Sequence, residues 1–255
     1  MGLLDGKVAI VTGASMGIGE AVAQFFAAAG ARVALAARSE AAIGELAERI
    51  RRAGRDAIAI PTDVTNEASV QELVAKTVER FGQLDCAVNN AGMNPSFFGP
   101  IEEYPMDEFR AICDVKVYGV AYCVKHEIAA MKAAGRGGSI VNHSSIVGLR
   151  GNVAGERGIY PAASMSQAAV VGLTMAAAAS SAQFKIRVNA LAIGAVATGH
   201  LGSLPAEERA RYDEHVPLGR LAGGEDVAAA CAYFCSDLSS WVTGTLVPIG
   251  GGQLA

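Results

Sequence analysis

Residues 7–19, KVAIVTGASMGIG, decide the fold of this chain. The first five, Lys7–Val11, are mostly apolar and β-branched, which is typical of a buried strand. This strand is followed by three glycines: Gly13, Gly17 and Gly19. The next segment, Ala21–Ala29, is rich in Ala and Phe and predicts a helix. A strand, a glycine turn and a helix in this order can cradle a pyrophosphate, because the free N–H groups at the helix start meet the anion.

Strands and helices alternate along the rest of the chain. Further strands are predicted at residues 31–37, 57–61, 84–88, 139–142, 187–191 and 245–249. Helices are predicted between them, the longest at 106–134 with a break near Gly119 and at 161–182, and residues 146–159 are predicted to form a loop. This alternation predicts an α/β fold with a doubly wound parallel sheet of about seven strands and helices on both faces. No repeat or linker divides the chain, so we expect one domain over residues 1–255.

The composition indicates a large buried core. Of the 255 residues, 51% are hydrophobic and 18% are charged, and the net charge of −4 gives no electrostatic reason to expect nucleic acid as a partner. Five cysteines without paired spacing argue against a disulfide framework, and we expect no metal site. The first residues lack the basic region of a signal peptide, and no apolar segment approaches roughly 20 uninterrupted residues. We therefore expect a cytoplasmic protein that acts on a small molecule and not at a membrane.

Several short motifs resemble, in their order along the chain, those of the short-chain dehydrogenases/reductases. They are Thr12-Gly13-x3-Gly17-Ile18-Gly19, Asp63-Val64, Asn89-Asn90-Ala91-Gly92, Ser144-Ser145-x2-Gly148 and Gly250-Gly251. The similarity runs over essentially the whole chain. It implies a Rossmann-type fold, a nicotinamide dinucleotide at the carboxyl ends of the strands, and hydride transfer to or from a carbonyl or alcohol carbon of a small, fairly apolar substrate. The family usually forms tetramers, which implies a homotetramer or a dimer here.

The resemblance also implies which residues meet the cofactor. Asp63 and Val64 would contact the adenine, and Gly194 and Thr198 match the segment that meets the nicotinamide carboxamide. A ribose would be lined by Asn90, Ala91 and Gly92. The residues that would hold the pyrophosphate and its ribose are Gly13, Ser15, Met16, Gly17, Ile18 and Gly19.

The end of the second predicted strand bears on which dinucleotide is bound. An NAD-selective site places a carboxylate there, which accepts a hydrogen bond from the ribose 2′-hydroxyl. This chain has Ala37 at that point, followed by Arg38. A guanidinium can bind a 2′-phosphate through paired N–H bonds, although Arg38 can also be an ordinary surface arginine at a strand end. The sequence therefore favours NADP(H) over NAD(H).

The catalytic stretch departs from the family pattern. Most members use an Asn, a Ser, and a Tyr followed four residues later by a Lys, in which the Tyr donates the proton and the Lys lowers the pKa of the Tyr and holds the nicotinamide ribose. Ser145 matches the Ser. However, Lys116 stands at the Asn position, Ala163 at the Tyr position and Gln167 at the Lys position.

One tyrosine remains close by. Tyr160 precedes Pro161, which favours the first turn of a helix, and Tyr160 lies seven residues before Gln167, so both face nearly the same way. Our hypothesis is that Tyr160 is the acid/base, Lys116 tunes it, Gln167 binds the ribose and Ser145 binds the substrate oxygen. In the alternative interpretation, Tyr160 merely packs under the substrate loop and Lys116 points to solvent.

Two other functions remain open. A Tyr seven residues before the Lys position resembles the enoyl-thioester reductases, which reduce a conjugated C=C bond with NADPH. Loss of the usual Tyr and Lys also leaves a dinucleotide-binding protein without redox turnover as a possibility. Finally, His143 is predicted to point to the opposite face of its strand from Ser144 and to be a packed histidine.

Overall fold

The computed structural model describes residues 2–151 and 159–255, and seven parallel strands in it form one sheet. The spatial order is β3-β2-β1-β4-β5-β6-β7, so the order reverses between β1 and β4 and leaves a crevice at their carboxyl ends. This confirms the predicted doubly wound α/β fold. The strand bounds are β1 Val8–Thr12, β2 Arg32–Ala37, β3 Ala57–Pro61, β4 Cys86–Asn89, β5 Gly138–Ser145, β6 Ile186–Ile193 and β7 Leu246–Ile249.

Helices cover both faces of this sheet. Their bounds are α1 Gly17–Ala28, α2 Glu40–Arg52, α3 Glu67–Phe81, α4 Met106–Cys113, α5 Gly119–Ala134, α6 Pro161–Ser181, α7 Gly199–Ser203, α8 Ala206–Asp213 and α9 Gly224–Cys235. Helices α1, α2 and α9 share a core with Ala9 and Val11 of β1, whereas α3, α5 and α6 share another with Val8 and Ile10. Alternate residues of a strand point to opposite faces of the sheet. Because helices bury both faces, both sets of residues are apolar, and the strand sequence is continuously hydrophobic.

Polar residues define the ends of several helices. The Ser39 hydroxyl accepts a hydrogen bond from the Ala42 N–H and begins α2. The Asn66 side chain accepts hydrogen bonds from the first turn of α3, and Gly82 ends that helix with a left-handed φ of 78°. These caps account for where α2 begins and for where α3 begins and ends.

The segment predicted as one long helix contains an irregular turn. Residues Asp114–Tyr118 form a π-helical turn between α4 and α5. Gly119 follows it, and a Cβ at Gly119 would lie 2.9 Å from Cγ2 of Val64, so glycine allows the turn to approach the loop after β3. Lys116 lies within this π turn, and only 5% of its surface is exposed.

The predicted loop at 146–159 begins with a short 3-10 turn, Ile146–Gly148, and residues 152–158 lie outside the described part of the chain. Helix α6 follows it. Together with the next 3-10 turn it runs from Pro161 to Phe184, and by length and mean hydropathy of 1.3 it is apolar enough to cross a membrane, with 33% of its apolar window buried. The core helix of a soluble protein passes the same test, and here α6 packs against β5 and β6 of the sheet.

A buried polar network lies under the centre of the sheet. Glu127 on α5 is 1% exposed, and its carboxylate accepts a hydrogen bond of 2.9 Å from the Asn89 amide. The same amide donates to Oδ1 of Asn142, whose own amide donates to the Thr174 hydroxyl. Burial raises the pKa of Glu127 from 4.5 to about 7, although the bond from Asn89 opposes this rise.

Glu127→Gln is expected to change how stability depends on pH. Between pH 4.5 and 7, folded Glu127 retains a proton that the unfolded chain has lost, so the wild-type free energy of unfolding falls as pH rises through this window. A glutamine amide does not titrate, so the free energy of unfolding of the variant does not fall for this reason, and its carbonyl oxygen can still accept from Asn89. The stability of the variant relative to wild type should therefore rise by up to about 3 kcal/mol between pH 5 and pH 8, as measured by urea unfolding.

Glu45→Gln, at an exposed position on α2, is the control and should leave the pH dependence of unfolding as it is in the wild type. Parallel pH curves for Glu127→Gln and wild type would contradict the assignment of a buried, protonated Glu127.

Candidate functional site

A cleft of about 1040 Å³ opens at the carboxyl ends of the strands. It is lined by residues that follow or end β1, β2, β3, β4, β5 and β6, together with the π turn and the start of α6. With one exception, Gly19, all residues predicted to meet cofactor or substrate line this cleft. The structure therefore brings together residues from both halves of the sheet, as expected at the point where the strand order reverses.

The glycine turn after β1 has the shape that close approach of a ligand requires. Gly13 and Gly17 have φ values of 67° and 62°, which favour glycine. A Cβ on Gly13 would lie 2.7 Å from Nδ2 of Asn90. Gly19 lies behind the turn, where a Cβ would be 2.2 Å from the Gly13 carbonyl oxygen. Glycine at this position therefore lets α1 pack closely against the end of β1.

The start of α1 is open to an anion. Met16 occupies the N-cap position, and its side chain makes no capping hydrogen bond. The first N–H groups of the helix therefore have no side-chain acceptor among the described residues, and they point into the cleft with the positive end of the helix dipole. An uncapped helix start beside two left-handed glycines fits a diphosphate.

Hydrogen bonds between the ends of β1 and β4 hold this turn in place. The Thr12 hydroxyl accepts from the backbone N–H groups of Asn90 and Ala91, each at 3.1 Å. The Asn90 amide nitrogen donates to the carbonyl oxygens of Thr12 and Gly13, at 3.0 and 3.2 Å. Asn90 is thus committed to the turn through its nitrogen, which leaves its Oδ1 as an acceptor.

The ring of His143 donates a hydrogen bond to this oxygen of Asn90. Its Nδ1 lies 3.1 Å from Oδ1 of Asn90, and its Nε2 lies 3.1 Å from Sγ of Cys231 on α9. The ring therefore carries its proton on Nδ1 and accepts from the thiol at Nε2. Burial, reinforced by the nearby Lys116 charge, lowers the pKa of His143 to about 3, so the ring is neutral. Ser144 points the other way and donates to the Gln167 carbonyl, so the two side chains lie on opposite faces as predicted.

The adenine end of the cleft carries the residues that bear on cofactor choice. Arg38 is exposed, lines the cleft, and forms no hydrogen bond or ion pair with the described residues. Oδ1 of Asp63 accepts from the Thr65 N–H and hydroxyl, at 2.9 and 2.8 Å, which orients the carboxylate at the end of β3. Val64 lies beside it in the cleft wall.

The other end of the cleft brings together Ser145, Lys116, Tyr160 and Gln167. The Ser145 hydroxyl donates to the Ile193 carbonyl at 3.1 Å and accepts from the Val147 N–H, so its oxygen is held at the cleft wall.

Lys116 places a buried cation in this wall. Its Nζ lies 3.5 Å from the Ala91 carbonyl oxygen, and no carboxylate in the described ranges lies within ion-pair distance of it. Burial lowers the pKa of Lys116 to about 8. The alternative interpretation, in which Lys116 points to solvent, is therefore wrong.

Tyr160 is the residue just before α6. Its ring packs edge to face on Phe98, with centroids 5.1 Å apart, and the neighbouring Ile159 carbonyl accepts from the Gly99 N–H. Tyr160 therefore lines the cleft and also packs under the segment at 93–99, so the two interpretations of this residue are compatible.

Gln167 lines the cleft and carries an acceptor atom that has no donor among the described residues. Its Oε1 is buried and has no hydrogen-bond partner in the part of the chain that is described. A buried acceptor without a donor costs free energy, and a ligand hydroxyl would relieve this cost. The orphaned oxygen on a cleft wall therefore fits a ribose.

Sequence reasoning missed the residue that anchors the covering segment. Glu108 on α4 accepts hydrogen bonds from the Ser96 N–H and hydroxyl, the Phe97 N–H and the Tyr104 hydroxyl. These bonds hold the segment that carries Phe98 over Tyr160. In the sequence, Glu108 is indistinguishable from an ordinary acidic residue in the first turn of a helix.

The chain is similar to known oxidoreductases over nearly its full length. A family model described as enoyl-(acyl carrier protein) reductase matches residues 13–253. A cis-4-hydroxycyclohexanecarboxylate dehydrogenase from Sinomonas cyclohexanicum is 41% identical, covering 98% of this chain and 97% of that protein. A meso-2,3-butanediol dehydrogenase from Serratia marcescens is 35% identical, covering 98% and 96%. The crystal structure of a short-chain type dehydrogenase/reductase from Mycobacterium marinum matches with a TM-score of 0.90 at 36% identity, covering 98% and 96%.

Proposed function

This chain belongs to the short-chain dehydrogenase/reductase family and is an oxidoreductase, and we propose that it uses NADP(H) to interconvert a carbonyl and an alcohol on a small, fairly apolar substrate. The observation that carries this proposal is the single cleft that joins an uncapped helix start to Ser145, Lys116, Tyr160 and Gln167. The two relatives quoted by name are dehydrogenases of hydroxyl-bearing compounds, which supports the same reaction class. We propose that residues 1–255 form one such domain, which works in the cytoplasm without nucleic acid or membrane.

Each part of the cleft would hold one part of the dinucleotide, whose nicotinamide supplies or accepts the hydride. The N–H groups at the start of α1 would bind the diphosphate. Asp63 and Val64 would meet the adenine, and Asn90, Ala91 and Gly92 would line a ribose. At the other end, Oε1 of Gln167 would accept from a ribose hydroxyl, and Gly194 and Thr198 would meet the carboxamide.

In the reduction direction, the Tyr160 hydroxyl would give its proton to the substrate oxygen. A phenol has a pKa near 10, so it exchanges protons at neutral pH only if a positive group stabilises the phenolate. The buried ammonium of Lys116, which lines the same cleft as Tyr160, would supply that positive group, and no carboxylate among the described residues neutralises it. The Ser145 hydroxyl would turn from the Ile193 carbonyl to the substrate oxygen and hold it beside Tyr160.

Tyr160→Phe is expected to lower kcat by about 10²- to 10⁴-fold on a cyclic ketone or secondary alcohol, because the general acid is lost. The Kd for NADPH should not change, since the diphosphate site is untouched. Cofactor absorbance with a panel of ketones, enones and alcohols measures both turnover and substrate class. Tyr118→Phe, at an exposed position on the π turn, is the matched control and should keep wild-type kcat.

The role of Lys116 is tested by the pH profile of alcohol oxidation. Oxidation requires the phenolate, and removal of the positive charge in Lys116→Met raises the pKa of the phenol. The rise in kcat with pH should therefore move to higher pH in this variant. Wild-type turnover in Tyr160→Phe, or an unmoved profile in Lys116→Met, would contradict the proposed proton transfer.

A conjugated C=C bond is the second candidate substrate. Two observations favour it: the description of the matching family model, and the position of Tyr160 seven residues before Gln167. In that reaction the hydride goes to the β-carbon, and Lys116 would support the enolate oxygen. Cofactor oxidation with enones alone in the same panel would favour this candidate. The family membership and the named relatives argue for an enzyme, against a binding protein without turnover.

Arg38 is the basis for proposing NADP(H). Its exposed guanidinium at the end of β2 lines the cleft and has no partner in the described ranges, so it is available to a 2′-phosphate. A hydrogen bond to a charged group contributes about 1.5–3 kcal/mol. Arg38→Ala should therefore raise the Kd for NADPH roughly 10- to 100-fold and leave the Kd for NADH nearly unchanged.

Arg55→Ala, at an exposed arginine outside the cleft, is the control for a general loss of positive charge. Equal Kd values for NADPH in wild type and Arg38→Ala, measured by fluorescence titration, would remove the basis for preferring NADP(H).

We also propose that the chain forms a homotetramer or a dimer. Helix α6 exposes a stripe of small and methionine side chains that suits close helix packing: Met165, Ala168, Gly172, Met175, Ala176 and Ala179. A second apolar cluster follows α9, where Trp241 is 98% and Leu238 is 71% exposed. A dihedral tetramer needs at least two kinds of two-fold interface, and two separate apolar faces can supply them.

Met175→Glu should disrupt the interface formed by α6, because it would bury a carboxylate against the second copy. Analytical ultracentrifugation should then show a smaller assembly than the wild type at micromolar concentration. Glu72→Gln, on the solvent face of α3, is the control. A wild-type chain that sediments as a monomer would contradict the proposed assembly.

A further inference from the structure

We infer that Gln253 is a positioning residue for the segment at 194–198 and, through it, for the nicotinamide end of the cofactor. This inference rests on the proposed function, because that function assigns Gly194 and Thr198 to the carboxamide. It goes beyond it by adding a residue that lies outside the cleft lining and acts from behind the wall.

A hydrogen bond and a close contact join Gln253 to this segment. The backbone N–H of Ala195, a residue that is 9% exposed, donates to Oε1 of Gln253 at 3.0 Å. A Cβ on Gly194 would lie 2.3 Å from the same oxygen and 2.7 Å from Cα of Gly250. The Gln253 amide therefore fills the volume that any side chain at 194 would need, which explains the glycine there.

The turn after β7 delivers the Gln253 side chain to this point. Gly194 donates its N–H to the carbonyl of Ile249, the last residue of β7, at 2.9 Å. Gly251 and Gly252 then take positive φ values of 57° and 94°, and the Gln253 N–H donates to the Gly250 carbonyl. The side chain is thus held in a tight turn, directly behind the peptide that joins residues 194 and 195.

On its other side, the segment at 194–198 is hydrogen-bonded to the backbone of Ala222. Ala195 accepts from the Ala222 N–H at 3.2 Å, and the Ala197 N–H donates to the Ala222 carbonyl at 2.8 Å. Backbone 195–197 is therefore held between Ala222 on one side and Gln253 on the other. Without the Gln253 oxygen, the Ala195 N–H is buried with no acceptor, and the 194–195 peptide gains freedom to rotate.

This geometry predicts an effect confined to one half of the cofactor. The adenine half would be held by residues at the ends of β1, β2, β3 and β4, none of which touches Gln253 in the contacts described. Loss of the Gln253 oxygen should therefore weaken binding of a ligand that carries nicotinamide and spare one that lacks it. A merely structural role would weaken both equally.

The experiment compares NADPH with 2′-phospho-ADP-ribose, the same molecule without nicotinamide, by calorimetric titration. Gln253→Met keeps the length of the side chain and removes the acceptor, and should raise the Kd for NADPH roughly tenfold with no change for the fragment. Gln253→Glu keeps an acceptor oxygen and should restore the wild-type Kd. Arg150→Ala removes a different contact to the same turn, the bond to the Leu254 carbonyl, and is the matched control.

The outcomes separate this inference from the function on which it rests. Equal Kd values for NADPH in wild type and Gln253→Met overturn the role of Gln253 alone. Equal weakening of both ligands, or the same loss in Arg150→Ala, shows general loosening and also overturns it. A wild-type chain that binds neither ligand overturns the proposed function and this inference together.

Discussion

The hydrogen bonds between the ends of β1 and β4 are the constraint on which the rest of the site depends. The sheet order reverses between these strands, so the crevice opens at their carboxyl ends. Thr12 and Asn90 close that junction with four bonds and leave the glycine turn open to a ligand. His143 then links Asn90 to Cys231, which ties the junction to a helix on the far face of β5.

The polar groups at the reacting end of the cleft have fewer hydrogen-bond partners than those at the junction of β1 and β4. In the part of the chain that the structure describes, the Lys116 ammonium has one hydrogen bond, of 3.5 Å, to a carbonyl oxygen, and Oε1 of Gln167 has no partner. Buried groups of this kind reduce stability unless a ligand completes their hydrogen bonds. Both groups line the same cleft as Tyr160 and Ser145. Polar groups that lower stability are expected at a functional site, where binding or catalysis requires them.

Much of the fold could be predicted from the sequence, because apolar strands buried on both faces leave an unambiguous pattern. The limits of β5 were predicted too short, at 139–142, since His143, Ser144 and Ser145 look like a polar loop but each side chain has a hydrogen-bond partner. The burial of Lys116 was not evident from the sequence, because Lys116 lies in a π turn that hydrophobic periodicity does not encode. The contact of Gln253 with Ala195 spans 58 residues and has no local signal.

The parallel sheet also has a consequence for how the chain assembles. Every neighbouring pair of strands in the sheet is parallel, so no hairpin in the described part of the chain offers an early local contact. The first three strands are adjacent in space and can form one half as soon as residue 61 is available. The inner edge of β1 must then wait for β4, which keeps Ala9, Ile10 and Val11 on an unpaired edge until that strand docks. During synthesis on the ribosome, this edge of the nascent chain is therefore open to pairing with another chain until β4 has been made.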